Sequence, residues 1–230
     1  MADHLICIDF FGIPGSGKSL LSHHVAGFLR ARGYRVEEPS YRLDHDLPKL
    51  RRLFAKWRCT RQLFRKEPAM KQALLRLVSD CGYRGKEGWK QLLNVGYKLF
   101  LLHHATSQVL IFDEGILQSS ISLSFKGALP ETEIFSRLSS LAGPYPCSPV
   151  RLACPVPLAL QNLAGRATHD SRVEQLDSDA AKTLLLRQLD GQADALMTDD
   201  TIVCETRNLM EASYLDSQCL LLERQIKMLR

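Results

Sequence analysis

Long apolar runs are missing from this sequence. The longest, such as Leu99-Phe100-Leu101-Leu102 and Leu220-Leu221-Leu222, fall far short of the roughly 20 residues a bilayer-spanning helix needs. A membrane span is therefore excluded on the sequence. Paired cysteines are missing too. The seven cysteines (Cys7, Cys59, Cys81, Cys147, Cys154, Cys204 and Cys219) contain no Cys-x-x-Cys pair, and several sit in apolar runs where a thiol packs as a small hydrophobe. An odd, scattered set argues against a disulfide framework or a zinc site and predicts a reducing cytosol. The opening residues Met1-Ala2-Asp3-His4 carry no basic segment, so no signal peptide is expected. Internal repeats and low-complexity linkers are also absent.

What remains is an ordinary globular composition. The chain has 230 residues, 45% hydrophobic and 24% charged, enough for one compact α/β domain spanning residues 1–230. Its net charge of +5 is unevenly spread. Between Lys49 and Lys98 there are 14 Lys/Arg against 3 Asp/Glu, a local +11 that leaves −6 for the rest of the chain. Such a block points either to an anionic partner or to a solvated helical surface. It contains no nucleic-acid-binding motif, so nucleic acid is not the expected partner.

Local patterns then set the order of elements. Leu5-Ile6-Cys7-Ile8-Asp9-Phe10-Phe11 reads as a buried strand, apolar except for Asp9. A glycine-rich loop follows, then a helix from Lys18 to about Arg32 that Gly33 stops. Tyr34 to Glu38 reads as a short second strand ended by Pro39. This βαβ unit demands a parallel sheet with a right-handed crossover. Apolar spacing over 43–79 is helical, with Pro68 dividing two helices. Gly82, Gly85 and Gly88 mark a loop before a helix over about 89–106. Val109-Leu110-Ile111-Phe112 predicts a central strand, Val150 to Cys154 a fourth and Thr201 to Cys204 a fifth. Helices are expected over 116–125, 131–141, 157–164, 179–197 and 208–229. The stretch at about 40–106 is thus a basic helical insertion.

The loop Gly12-Ile13-Pro14-Gly15-Ser16-Gly17-Lys18-Ser19 matches G-x-x-x-x-G-K-[ST] in full. Glycines let successive backbone N–H groups turn inward around phosphates, and the following helix adds the positive end of its dipole. Lys18 would neutralise the β- and γ-phosphates of ATP, and the Ser19 hydroxyl would ligate Mg²⁺. A second acidic element stands at the end of the third strand, where Asp113 is the expected partner of Ser19 at the metal. Glu114 has two readings: a base that accepts the proton of an attacking hydroxyl, or an acid stabilised at a helix N-terminus. Arg166 and Arg172, six residues apart in a polar segment, suit a lid loop at about 165–178 that closes over the triphosphate.

Taken together, Phe11 to Ser19, the Gly33-Tyr34-Arg35-Val36-Glu37 strand, Phe112-Asp113-Glu114-Gly115 and the Arg166/Arg172 loop resemble the P-loop kinases of the nucleoside and nucleotide kinase group. Thymidylate-kinase-like proteins are the nearest match. The resemblance implies an α/β/α three-layer fold around a five-stranded parallel sheet ordered 2-3-1-4-5, with a helical insertion and a lid. It also implies that Lys18, Arg166 and Arg172 act on the transferred phosphate, that Leu20 continues the nucleotide site behind Ser19, and that Arg207 lies near the adenine. Asp113-Glu114-Gly115 stands where thymidylate kinases carry Asp-Arg and an aromatic residue, which suits a hydroxyl acceptor at least as well as a phosphate.

The resulting expectation is a cytoplasmic, Mg²⁺- and ATP-dependent kinase acting on a small anionic acceptor; a homodimer is compatible with the sequence. The rival is a P-loop ATPase or regulatory protein that binds a macromolecule through the basic insertion. Phe54, Trp57 and Phe64 recur at helical spacing and are read as helix core in preference to base-stacking rings.

Overall fold

Six consecutive buried residues make Ile6–Phe11 (β1) a strand covered on both faces. Ile6, Ile8 and Phe10 pack towards helices Lys18–Ala31 (α1) and Ala212–Met228 (α10). The alternate residues face the other way: Cys7 joins the core formed by the insertion, and Phe11 packs with Leu117 and Ile121. This period-two division of one apolar strand builds the two helical layers on either side of the sheet.

The computed structural model describes residues 5–144, 146–165, 172–209 and 211–229. After α1 come Val36–Glu37 (β2), then Pro39–Asp46 (α2), Lys49–Lys66 (α3), Pro68–Asp80 (α4) and Gly85–His104 (α5). Val109–Phe112 (β3) leads to Ile116–Ser124 (α6) and Glu131–Ala142 (α7). Cys147–Ala153 (β4), Val156–Ala164 (α8), Asp179–Ala195 (α9) and Ile202–Glu205 (β5) complete the order before α10. All strand pairs are parallel, and the sheet runs β2-β3-β1-β4-β5. The expected α/β architecture and strand order are therefore present, with α2 to α5 as the helical insertion.

Several local expectations are corrected. The loop expected at Gly82, Gly85 and Gly88 is shorter, because α5 already starts at Gly85. Gly88 lies in its first turn, where a Cβ would sit 3.0 Å from the Tyr83 carbonyl oxygen. Close approach, not chain reversal, explains that glycine. β4 begins at Cys147 and includes Pro149. Pairing with β5 starts only at Val150, so the missing proline N–H costs no β4–β5 bond. The last helix starts at Ala212, after a 3₁₀ turn at Thr206–Asn208.

The largest correction concerns α3. Phe54 and Trp57 are exposed and only Phe64 reaches the core. The helix docks through Thr60 and Leu63. Thr60 Oγ1 donates to the Leu93 carbonyl (3.3 Å), and its methyl lies 2.5 Å from where a Cβ on Gly96 would stand.

Candidate active site

In a parallel sheet, neighbouring strands end on the same edge. β1 and β3 pair from Ile6↔Val109 to Asp9↔Phe112, so the loop after Phe11 and the turn after Phe112 emerge side by side. Ser19 and Asp113, 94 residues apart, are thereby joined: Ser19 Oγ donates to Asp113 Oδ2 at 2.9 Å. Asp113 is buried and Ser19 half-buried.

The loop itself is a cradle that requires its glycines. Gly12, Gly15 and Gly17 all have positive φ (147°, 84° and 87°). A Cβ on Gly15 would stand 2.5 Å from the Ala159 carbonyl oxygen, and one on Gly12 2.8 Å from that of Leu152. Lys18 lies buried across the loop, its Nζ donating to the Gly12 and Ile13 carbonyls at 3.0 Å each. Ile13 is fully buried against α8 and α9, Pro14 is half-buried, and Leu20 is exposed on α1. Ser16 Oγ is buried without a hydrogen-bond partner among the described residues.

Three side chains remote in sequence pin this loop. Gln118 Oε1 on α6 accepts from the Gly12 N–H (3.0 Å), Asn162 Nδ2 on α8 donates to the Gly15 carbonyl (2.8 Å), and Thr206 Oγ1 donates to that of Ser16 (2.8 Å). Sequence reasoning missed Gln118 and Asn162, since single amides on helices carry no local signature. Beneath the loop, Arg151 on β4 is buried and ion-paired with Asp190 and Asp194, one turn apart on α9.

The turn carrying Asp113 and Glu114 is organised by Asp9, the lone polar residue of β1. Its carboxylate accepts from the Gly115 and Leu117 N–H groups at 3.0 Å each, so it caps α6 from the neighbouring strand. A Cβ at Gly115 would overlap the Asp9 carboxylate, which explains glycine after the acidic pair. Glu114 is exposed and makes no capping hydrogen bond; Asp9 occupies that role. Burial raises the Asp9 pKa to about 6, against the opposing pull of the Leu117 N–H and the Lys98 charge. Lys98 on α5 is half-buried, donating to Ser119 Oγ (2.8 Å) and the Gly115 carbonyl (3.2 Å). Desolvation lowers its pKa, and the charges of Glu114 and Asp9 oppose that shift. Neither the charge effect between Asp9 and Lys98 nor the place of Lys98 in the site was anticipated, because its helix was read only as part of a basic block.

A cleft opens beside these acids. Asp113, Glu114, Lys98 and Ser119 line one side and Lys56, Gln91 and Asn94 another. Lys56 Nζ donates to Asn94 Oδ1 at 2.9 Å. At the end of β2, Glu38 is buried and ion-paired with Arg30 (3.0 Å) and His23 (3.2 Å).

The remaining sequence-predicted residues are less closely gathered. Arg166 falls outside the described residues. Arg172 donates to Tyr83 Oη (3.2 Å) and the Ser122 carbonyl (3.4 Å), with its guanidinium 4.6 Å from the Phe125 ring centre; none of these bonds goes to the phosphate loop. Arg207 is exposed in the 3₁₀ turn after β5, adjacent in sequence to the loop-bonded Thr206.

The donor set suits a nucleoside triphosphate with magnesium. Three inward-turned glycines, a buried lysine and the orphaned Ser16 hydroxyl form an anion cradle. Ser19 and Asp113 supply two oxygen ligands of the kind Mg²⁺ takes when phosphates and water complete its shell. Among the described residues there is no cluster of three or more His, Cys, Asp or Glu that would form a dedicated metal cage, and no helix long and apolar enough to cross a membrane.

Comparison with known proteins found no matching family model and no matching curated protein. Among solved structures, the chain is similar to deoxyadenosine kinase from M. mycoides with the products dCMP and a flexible dCDP bound. That similarity has 16% identity and a TM-score of 0.48, covering 98% of this chain and 100% of that one. The dCTP-bound form of the same enzyme matches with 16% identity and a TM-score of 0.43, covering 95% and 99%. A protein designated APE1195 matches with 13% identity and a TM-score of 0.41, covering 99% and 97%. At scores below 0.5 these neighbours contribute nothing to the assignment of the site, which rests on this chain's own residues.

Proposed function

We propose that this protein is an ATP- and Mg²⁺-dependent kinase of the nucleoside and nucleotide kinase type that phosphorylates a small, polar acceptor. The observation that carries this reading is the junction of two half-sites. The Ser19–Asp113 contact closes the phosphate cradle on one side, and the polar cleft begins at the next residue, Glu114.

In this reading, the backbone N–H groups of Gly15, Gly17, Lys18 and Ser19, at the N-terminus of α1, hold the α- and β-phosphates. Lys18 exchanges its two carbonyl partners for phosphate oxygens when the nucleotide enters. Ser19 and Asp113 hold Mg²⁺, which when bound neutralises charge on the transferring phosphoryl group. Glu114, exposed to the cleft, accepts the proton of the attacking hydroxyl. Lys98 and Lys56 give the cleft positive charge, which favours an acceptor that carries a phosphate or carboxylate. Arg172, and Arg166 with it, closes over the triphosphate only if the Tyr83 and Ser122 bonds of Arg172 are released.

The test is ATP turnover measured with and without a panel of nucleosides, nucleotides and phosphorylated sugars. Turnover should depend on one class of acceptor and yield its phosphorylated product. Acceptor-independent hydrolysis that rises with a polyanion or a protein partner would instead establish the ATPase reading and overturn this one.

A further inference from the structure

α3 is amphipathic in an inverted sense. Its Thr60–Leu63 face is buried against α5, and the close approach at Gly96 fixes the helix in that rotation. A neighbouring face, turned from the Thr60–Leu63 face by about 100°, presents Leu50, Leu53, Phe54 and Trp57, with 82%, 52%, 60% and 37% of their surfaces exposed. At about 100° per residue these four fall within an arc of roughly 100°, one continuous stripe. Phe54 and Trp57 touch each other (ring centres 5.5 Å apart). The next residue along the stripe is Arg61, whose guanidinium lies 5.5 Å from the Trp57 ring centre.

The charge around the stripe is of one sign. α3 carries eight Lys/Arg and no Asp/Glu over its 18 residues. Arg51, Arg58 and Arg65 border the exposed arc, all three themselves exposed. A helix with leucine and aromatic side chains at its crest and basic residues along one flank has the pattern of one that lies in a lipid–water interface. The apolar crest enters the acyl boundary, and the arginines meet acidic headgroups. Pairing of this face with the same face of a second copy would bring Arg51, Arg58, Arg61 and Arg65 against their own copies, which like-charge repulsion opposes. A nucleic acid would engage the arginines but leave the leucines and Phe54 in water.

We propose that the exposed face of α3 docks this protein peripherally on an anionic phospholipid bilayer. The inference does not depend on the kinase reading, and its test needs no nucleotide. The full-length Trp89→Phe protein, whose only remaining tryptophan is Trp57, is mixed with vesicles of phosphatidylcholine alone or with about a quarter phosphatidylglycerol. Co-sedimentation with the anionic vesicles is expected, weakened by salt, with a blue shift of Trp57 emission as the ring leaves water. In that background Leu50→Ser combined with Phe54→Ser should weaken vesicle binding by at least about tenfold. Both positions are exposed, so circular dichroism should be unchanged.

Three results would overturn the proposal. One is absence of binding to the anionic vesicles. Another is binding without a blue shift that survives the double substitution, which means a purely ionic contact of the kind heparin would also make. The third is a lipid-free, concentration-dependent blue shift accompanied by a larger sedimentation coefficient, which assigns the face to a second copy.

Discussion

Replacing Asp9 with asparagine should change how stability depends on pH. The Asp9 carboxylate is buried on the central strand, and burial raises its pKa from an ordinary 3.8 to about 6. Between those values the folded protein holds the Asp9 proton and the unfolded chain releases it. The associated stability is therefore fully present below the ordinary pKa and is lost as pH rises through about 6. The gap corresponds to about 3 kcal/mol. Asparagine keeps the shape and cannot ionise, so it removes this slope. It also turns one of the two acceptors towards Gly115 and Leu117 into a donor, leaving a buried N–H unsatisfied at a pH-independent cost of about 1–3 kcal/mol. Slope and offset are separable. Urea unfolding followed by circular dichroism from about pH 4 to 7, on both proteins, gives the stability difference at each pH. The natural protein should lose about 3 kcal/mol relative to Asp9→Asn over that range. A difference that stays constant with pH would refute the claim that Asp9 is a desolvated, partner-limited carboxylate.

Further predictions concern the chemistry and the turn it depends on. Lys18→Ala should lower turnover by at least about a hundredfold while the urea midpoint changes little, because its Nζ donates to the Gly12 and Ile13 carbonyls, whose place phosphate oxygens would take; near-normal turnover would remove Lys18 from the mechanism. Glu114→Gln should reduce kcat by about 10²–10⁴ with ATP affinity retained if Glu114 is the base, as steady-state kinetics and nucleotide binding together would report. Gly115→Ala should destabilise the fold by about 1–3 kcal/mol, since its methyl overlaps the Asp9 carboxylate. The same substitution combined with Asp9→Ala should recover part of that loss, a coupling that a double-mutant cycle measures.

The burial of Asp9 also bears on why the acidic pair sits where it does. Glu114 precedes a helix and had a plausible role as its cap, yet the cap is supplied from β1. That leaves the Glu114 side chain uncommitted by hydrogen bonds of the turn and facing a cleft that Lys56, Gln91, Asn94 and Lys98 also line. A carboxylate held at the mouth of a phosphate cradle by its backbone alone can swing towards an acceptor without breaking the turn.

How much of this was legible in the residues follows from the range of each interaction. The shape of the Gly12–Ser19 loop was readable because it is local: the positive φ at positions 12, 15 and 17 calls for glycine, and the sequence carries it there. The parallel sheet followed from a strand–loop–helix–strand order, which leaves the chain one crossover sense. Asp113 was readable because an apolar strand delivers its last residue to the same edge as the loop. Gln118, Asn162 and Lys98 were not, since each acts across at least 17 residues and carries no pattern of its own. On α3, spacing established which apolar residues share a stripe, but a helix bearing Leu63 on one side and Phe54 on the other offers two faces to the core. Tertiary packing decided between them: Thr60 packs where Gly96 leaves no room even for a Cβ, and in that rotation Phe54 and Trp57 turn to solvent.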